Sequence, residues 1–254
     1  MKKMIAILAV VMLLWGASAS ADTLDFLKPF WMQMMDGVSN TASGKIPENV
    51  TVTCTDERLT VEACGVLLEN DYSAEAHVYA VLKNTGSERL PIRSVQMTVL
   101  GANGNTLHQE NYVSYMPSVV EPGETMLVSE WMYDFVKEIG KVHSIQISVE
   151  TASRVNEKWK QLGDVRAWLD GDYLCVEFTN TTEKTLFGVI CAATVSDANG
   201  QILDMMMQSP YDTDDLGIAQ GSSIVWRKRL EDAATLKIGT DAVCKAWAYR
   251  MEDL

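Results

Sequence analysis

Three groups of residues in this chain have types that can do chemistry. The first is His77, His108 and His143. A hydrolytic triad needs a histidine held between a carboxylate and a nucleophile. No Gly-x-Ser-x-Gly elbow, His-Glu-x-x-His helix, Cys-x-x-Cys pair or phosphate-cradling glycine loop accompanies them, so they read as strand-surface or edge residues and no catalytic residue is assigned. The second is Asp212, Asp214 and Asp215 in SPYDTDDLG, which begins like a calcium loop with alternate acidic oxygens and a following Gly217. Position twelve is Ser223 where a bidentate glutamate belongs, which excludes an EF-hand and leaves an irregular, weak metal loop or a solvated connection between strands. The third is Met205, Met206 and Met207 with Met32, Met34 and Met35, a supply of thioethers for a soft metal. Strand alternation puts only Met205 and Met207 on one face, and without neighbouring histidines they read as core-filling or adaptable contact residues. No cofactor is implied.

The elements that must position these residues repeat. Residues 77–104 return 96 positions later as 173–200: HVYAVLKNTG and SVQMTVLGANG correspond to YLCVEFTNTT and ICAATVSDANG. Asn84 falls on Asn180, and Asn103-Gly104 on Asn199-Gly200. A period the size of one small domain points to two tandem copies of one fold. Within each copy the apolar residues alternate, as strands do. Val78, Ala80 and Leu82 share a face, matched by Leu174, Val176 and Phe178; Val95, Met97 and Val99 are matched by the smaller Cys191, Ala193 and Val195, so Trp226 and Trp247 are expected to refill the second core. Asn103-Gly104 suits a tight hairpin in which both residues tolerate positive φ, and Pro122-Gly123 is a turn whose place Gln220-Gly221 takes in the second copy.

The N-terminus reads as export. Lys2 and Lys3 precede an apolar run to Trp15 and then GASASA, a signal peptide cut after Ala21 or, second, after Ala19. The run is shorter than the roughly 20 apolar residues of a membrane span, so insertion is not expected after cleavage. The mature chain carries 19 basic against 34 acidic residues, a net −15 that disfavours nucleic acid and anionic lipid. Five cysteines survive cleavage, and an odd count argues against a full disulfide framework. Cys54 and Cys64 flank a turn at residues 56–58, where they either bond across a hairpin or stay as two reduced, buried thiols. Asn49-Val-Thr and Asn180-Thr-Thr fit the glycosylation pattern, although Asn180 already has a turn role.

The expected organisation is all-β: a signal peptide over 1–21, a short N-terminal amphipathic helix and linker over 22–49, an immunoglobulin-like β-sandwich over 50–152, a connector over 153–163 that forms a short helix or a strap, and a second sandwich over 164–254. Phe26, Phe30, Trp31, Met34 and Met35 make the helix apolar enough to need a cover, supplied by its own sandwich or by a partner.

The Lys-Asn-Thr-Gly turn, the Asn-Gly hairpin and the Pro-Gly before the next strand resemble the FxLYD-type and related immunoglobulin-like modules of bacterial secreted or envelope proteins. Asp197-Ala-Asn-Gly200 fits their hairpin; Gly101 replaces the Asp in the first copy, and neither copy keeps the aromatic-Leu-Tyr signature. The resemblance implies modules that bind, space or present, and no catalytic residues. The expectation is a non-enzymatic exported binding or spacer protein whose partner is a protein or cell-envelope component, or else an accessory, chaperone-like subunit docking through the N-terminal helix.

Overall fold

The computed structural model describes residues 50–69, 75–132, 139–153, 157–208, 217–230 and 238–253. The signal peptide, the apolar segment with Phe26, Phe30, Trp31, Met34 and Met35, Asn49, and the Asp212, Asp214, Asp215 loop lie outside them.

The described residues are strands joined by turns, with one 3-10 turn at Ile139–Lys141. In the first repeat these are β1 (Thr51–Cys54), β2 (Leu59–Glu69), β3 (Glu75–Asn84), β4 (Leu90–Gly101), β5 (Thr106–Glu110), β6 (Ser114–Met116), β7 (Val119–Val120), β8 (Thr125–Met132) and β9 (Val142–Thr151). One sheet runs β1-β9-β4-β5, with β7 also on β4, and the other β2-β3-β8-β6. They close over a core that includes Val78, Ala80, Leu82, Val95, Met97 and Val99. β5 ends at Glu110, where Glu110 Oε1 accepts the amides of Asn111 and Tyr112 (3.0 and 3.3 Å).

The second repeat has β10 (Glu157–Leu162), β11 (Val165–Asp170), β12 (Tyr173–Thr179), β13 (Val189–Ser196), β14 (Ile202–Met207), β15 (Ser223–Arg229) and β16 (Val243–Asp253). Its sheets are β10-β16-β13-β14 and β11-β12-β15. Leu174, Val176 and Phe178 meet Cys191, Ala193 and Val195 in one cluster. Trp226, in register with Val176, is half-buried against this cluster, and Trp247, opposite Ala192, is buried within it. The segment read as a connector is β10, an edge strand paired antiparallel with β16, whereas β1 in the same place of the first repeat pairs parallel with β9.

The repeat holds at the level of single bonds. Asn84 and Asn180 are both fully buried. Asn84 Nδ2 donates to the carbonyls of Glu88 (2.8 Å) and Val120 (3.0 Å), and Asn180 Nδ2 to those of Lys184 (2.8 Å) and Ile218 (2.7 Å). Each Oδ1 accepts the amide two residues on, from Gly86 and from Thr182, at 3.0 Å. One amide side chain thus ties the turn that follows it to a segment 36 or 38 positions further along the chain in each sandwich and satisfies carbonyls that burial would otherwise orphan. The same bonds leave Asn180 inaccessible to a glycan. In the Asn-Gly hairpins only the glycines take positive φ, Gly104 at 74° and Gly200 at 82°. Both turns close with the glycine amide donating three residues back, to Gly101 and Asp197, so the asparagines keep an ordinary backbone.

β3 and β13 are buried on both faces. The outer face of the β2-β3-β8-β6 sheet, with Leu67, Tyr79, Val81 and Leu127, belongs to the same apolar cluster as the second repeat's core. Contact there is backbone to backbone: a Cβ placed on Gly65 of β2 would sit 1.7 Å from the Ile202 carbonyl oxygen of β14. Tyr249 Oη, also buried, donates to the Thr125 carbonyl across the repeats at 3.0 Å. All the described residues fall in one compact unit, Thr41–Leu254.

Candidate functional site

Where the repeats diverge beyond this contact they leave a groove of about 1090 Å³. The first repeat contributes β8 and the chain around β6; the second contributes β10, the end of β14, and β15. Its apolar walls include Met116, Trp131, Trp159, Met205, Met207 and Trp226, and its polar groups include His77, Ser129, Gln208 and Lys228. Alternation explains the placement. Leu127, Ser129 and Trp131 share the outer face of β8, in register with Val81, Tyr79 and His77 of β3. Trp159 is fixed by its indole N–H, which donates to Ser118 Oγ at 2.8 Å.

At one end of the groove five polar side chains form a continuous chain across the repeats. Ser129 Oγ lies 3.1 Å from His77 Nε2, His77 Nδ1 lies 2.6 Å from Tyr79 Oη, and Tyr79 Oη donates to Asp204 Oδ1 at 3.0 Å. Lys228 Nζ donates to the same Oδ1 at 2.6 Å and to the Met205 carbonyl at 3.1 Å, and the Met205 amide also donates to Asp204 Oδ1 at 2.7 Å. The proton order follows from the acceptor end. Tyr79 Oη has one proton for two acceptors: when it donates to Asp204 it accepts from His77 Nδ1–H, and the bare Nε2 then accepts from the Ser129 hydroxyl. Burial, reinforced by the charge on Lys228 and opposed by Asp204, pulls the His77 pKa down from 6.5 to about 4. The ring is neutral at pH 7, and it is held between Tyr79 (centroids 4.1 Å) and Trp131 (4.6 Å).

Asp204 is fully buried and its ion pair with Lys228 spans β14 and β15, the facing edges of the two sheets of the second sandwich. A buried carboxylate persists only when paired and hydrogen-bonded, and here three donors converge on one oxygen.

The residues singled out from the sequence are scattered. His77 is on central strand β3 and half-buried in the groove, neither a surface nor an edge histidine; His108 is half-buried on edge strand β5, and His143 is exposed on β9. Cys54 and Cys64 are both free thiols. No hairpin joins them, because β1 pairs with β9 while β2 pairs with β3 in the opposite sheet. Burial raises both thiols above the ordinary range, and pushes Cys191 up to about 12. Met205, Met206 and Met207 all border the groove. Among the described residues no three His, Cys, Asp or Glu side chains cluster as a metal site. No helix among them is long and apolar enough to cross a membrane. Sequence reasoning missed Tyr79, Ser129, Asp204 and Lys228. The available signal was Asp204 inside ILDMMM, an acid in an otherwise apolar strand.

No family model matches the chain, and no curated protein matches it. Among solved structures, a transglutaminase from red sea bream aligns with 69% of this chain and 27% of its own length, at 13% identity and a TM-score of 0.22. The aligned part is thus well under a third of that enzyme.

Proposed function

We propose that this chain is an exported binding protein whose two β-sandwich repeats are held as one body so that the groove between them takes a partner at or beyond the cell envelope. The observation that carries the reading is the groove itself. It lies at the junction of two repeats, where binding sites preferentially form, and it combines tryptophan and methionine walls with a few fixed polar groups. The Tyr79–Asp204 bond and the Gly65–Ile202 contact support it by holding the two walls at a fixed spacing. Methionine suits such a surface because its unbranched thioether adapts to the shape it meets.

The test is capture from the native extracellular or envelope fraction with the mature chain from Asp22, beside Met207→Arg, which places a charge on the half-buried groove wall. Loss of the captured partner in the variant supports the groove; equal capture overturns it. The second reading, docking through the apolar segment around Phe30 and Trp31, rests on the density of large apolar residues there. A chain beginning at Lys45 that folds but captures nothing favours that reading.

A further inference from the structure

The Ser129, His77, Tyr79 and Asp204 chain has the polarity of a nucleophile, a base, an orienting hydroxyl and a carboxylate. We propose that Ser129 is an acyl-accepting nucleophile, with His77 as its base, for esters whose apolar acyl group lies along the tryptophan and methionine walls of the groove. Two observations carry this, with the tautomer they allow. Ser129 and His77 both line the groove, so the hydroxyl meets whatever enters it. The nucleophile-to-base distance is 3.1 Å and the base-to-orienter distance 2.6 Å, within the reach that proton transfer needs. With Tyr79 donating to Asp204 the tautomer has Nε2 bare, the form in which an imidazole can take a serine proton.

In the reaction the Ser129 proton passes to His77 Nε2 as Oγ bonds to the acyl carbon. The carbon to alkoxy-oxygen bond then breaks, and the leaving alkoxide takes that proton as an alcohol. Water, deprotonated by the same Nε2, cleaves acyl-Ser129 to the free acid and restores the hydroxyl. While His77 carries two protons, Tyr79 accepts from Nδ1–H and donates to Asp204, so the transient charge faces a buried carboxylate through one hydroxyl, with burial and the Lys228 ammonium on that carboxylate opposing it. Tyr79 and Asp204 are positioning residues.

The proposal goes beyond partner binding and does not rest on it: failed partner capture leaves the following reaction standing. The mature chain is treated with an alkyl fluorophosphonate, whose P–F bond is replaced by an Oγ–P bond, and assayed with p-nitrophenyl butyrate. One adduct is expected, on Ser129, absent in Ser129→Ala. Its rate should fall on the order of 100-fold in His77→Gln, the size of a general-base contribution. The wild-type rate should hold level from pH 8 to 5 and fall only toward pH 4, because the base titrates at about 4. That acid limb tests the assignment within the wild type even where His77→Gln does not fold. Absence of an adduct on Ser129 in folded protein, an undiminished rate in folded His77→Gln, or a wild-type rate that stays level through pH 4 with no acid limb would overturn the proposal.

Discussion

Tyr79 of the first repeat donates its phenolic proton to Asp204 of the second, 125 positions along the chain, at 3.0 Å and out of contact with solvent. This bond joins the two sandwiches, whereas the Lys228 ion pair on the same oxygen holds the carboxylate within the second, and the two are not equivalent. Lys228→Met leaves a fully buried carboxylate without its cation and is expected to cost about 3–5 kcal/mol. Tyr79→Phe removes one neutral donor and should cost about 1–3 kcal/mol. Urea unfolding at pH 7 measures both, and a larger loss in Tyr79→Phe would contradict the assignment of the charge.

Gly65→Ala should be among the most damaging single substitutions in the chain. The added methyl meets the Ile202 carbonyl at 1.7 Å, and that carbonyl is backbone that no rotamer can move. Either β2 and β14 separate or both sheets bend, at a cost beyond about 4 kcal/mol. Calorimetry should show a large fall in Tm, accompanied by red-shifted tryptophan emission as the groove opens. An alanine variant that melts like the parent would show that the repeats do not touch there.

His77 makes stability depend on pH with a definite sign. Its folded-state pKa of about 4 lies below the ordinary 6.5, so between these values the unfolded chain holds a proton that the folded chain does not. Stability from this group is fully present above pH 6.5, declines as pH falls toward 4, and changes no further below; the whole effect is about 3 kcal/mol. Glu124 and Glu130, both raised by burial, act in the opposite direction over the carboxylate range. The difference in unfolding free energy between wild type and His77→Gln, followed from pH 7 to 4, isolates the histidine. It should shrink as the pH falls.

Asn84→Ala and Asn180→Ala should each cost about 2 kcal/mol, since each strands two buried carbonyls and one amide. Because the two asparagines share no partner, the double variant should lose the sum to within about 0.5 kcal/mol. Denaturant titration of the four proteins checks this, and strong coupling would show that the turns communicate.

The fold was legible in the sequence where the two copies agree. Asn84 and Asn180, the Gly104 and Gly200 hairpins, and the Val78, Ala80, Leu82 face all follow from local patterns that the repeat doubles. Legibility failed where a strand serves two cores. HVYAVLK reads as alternation with one apolar face, yet Tyr79 and Val81 on the other face are buried too, because a second sandwich covers them. An almost unbroken apolar run carries that information, as does VICAATVS in β13, since strands buried on both faces lose their alternation. The groove was out of reach for a different reason. Ser129, His77 and Asp204 come from three strands in two repeats, and no spacing within one copy brings them together.

A sheet with a core on each side also imposes an order on synthesis. The first repeat can close its own interior once β9 has been made, but Tyr79 and Val81 then face water until Asp204 has been added. At 5–20 residues per second that interval is on the order of ten seconds. A nascent chain of this length presents an apolar sheet face to its surroundings. Truncation after residue 153 should therefore yield a self-associating half rather than a smaller soluble protein, and the second repeat serves the first as a cover.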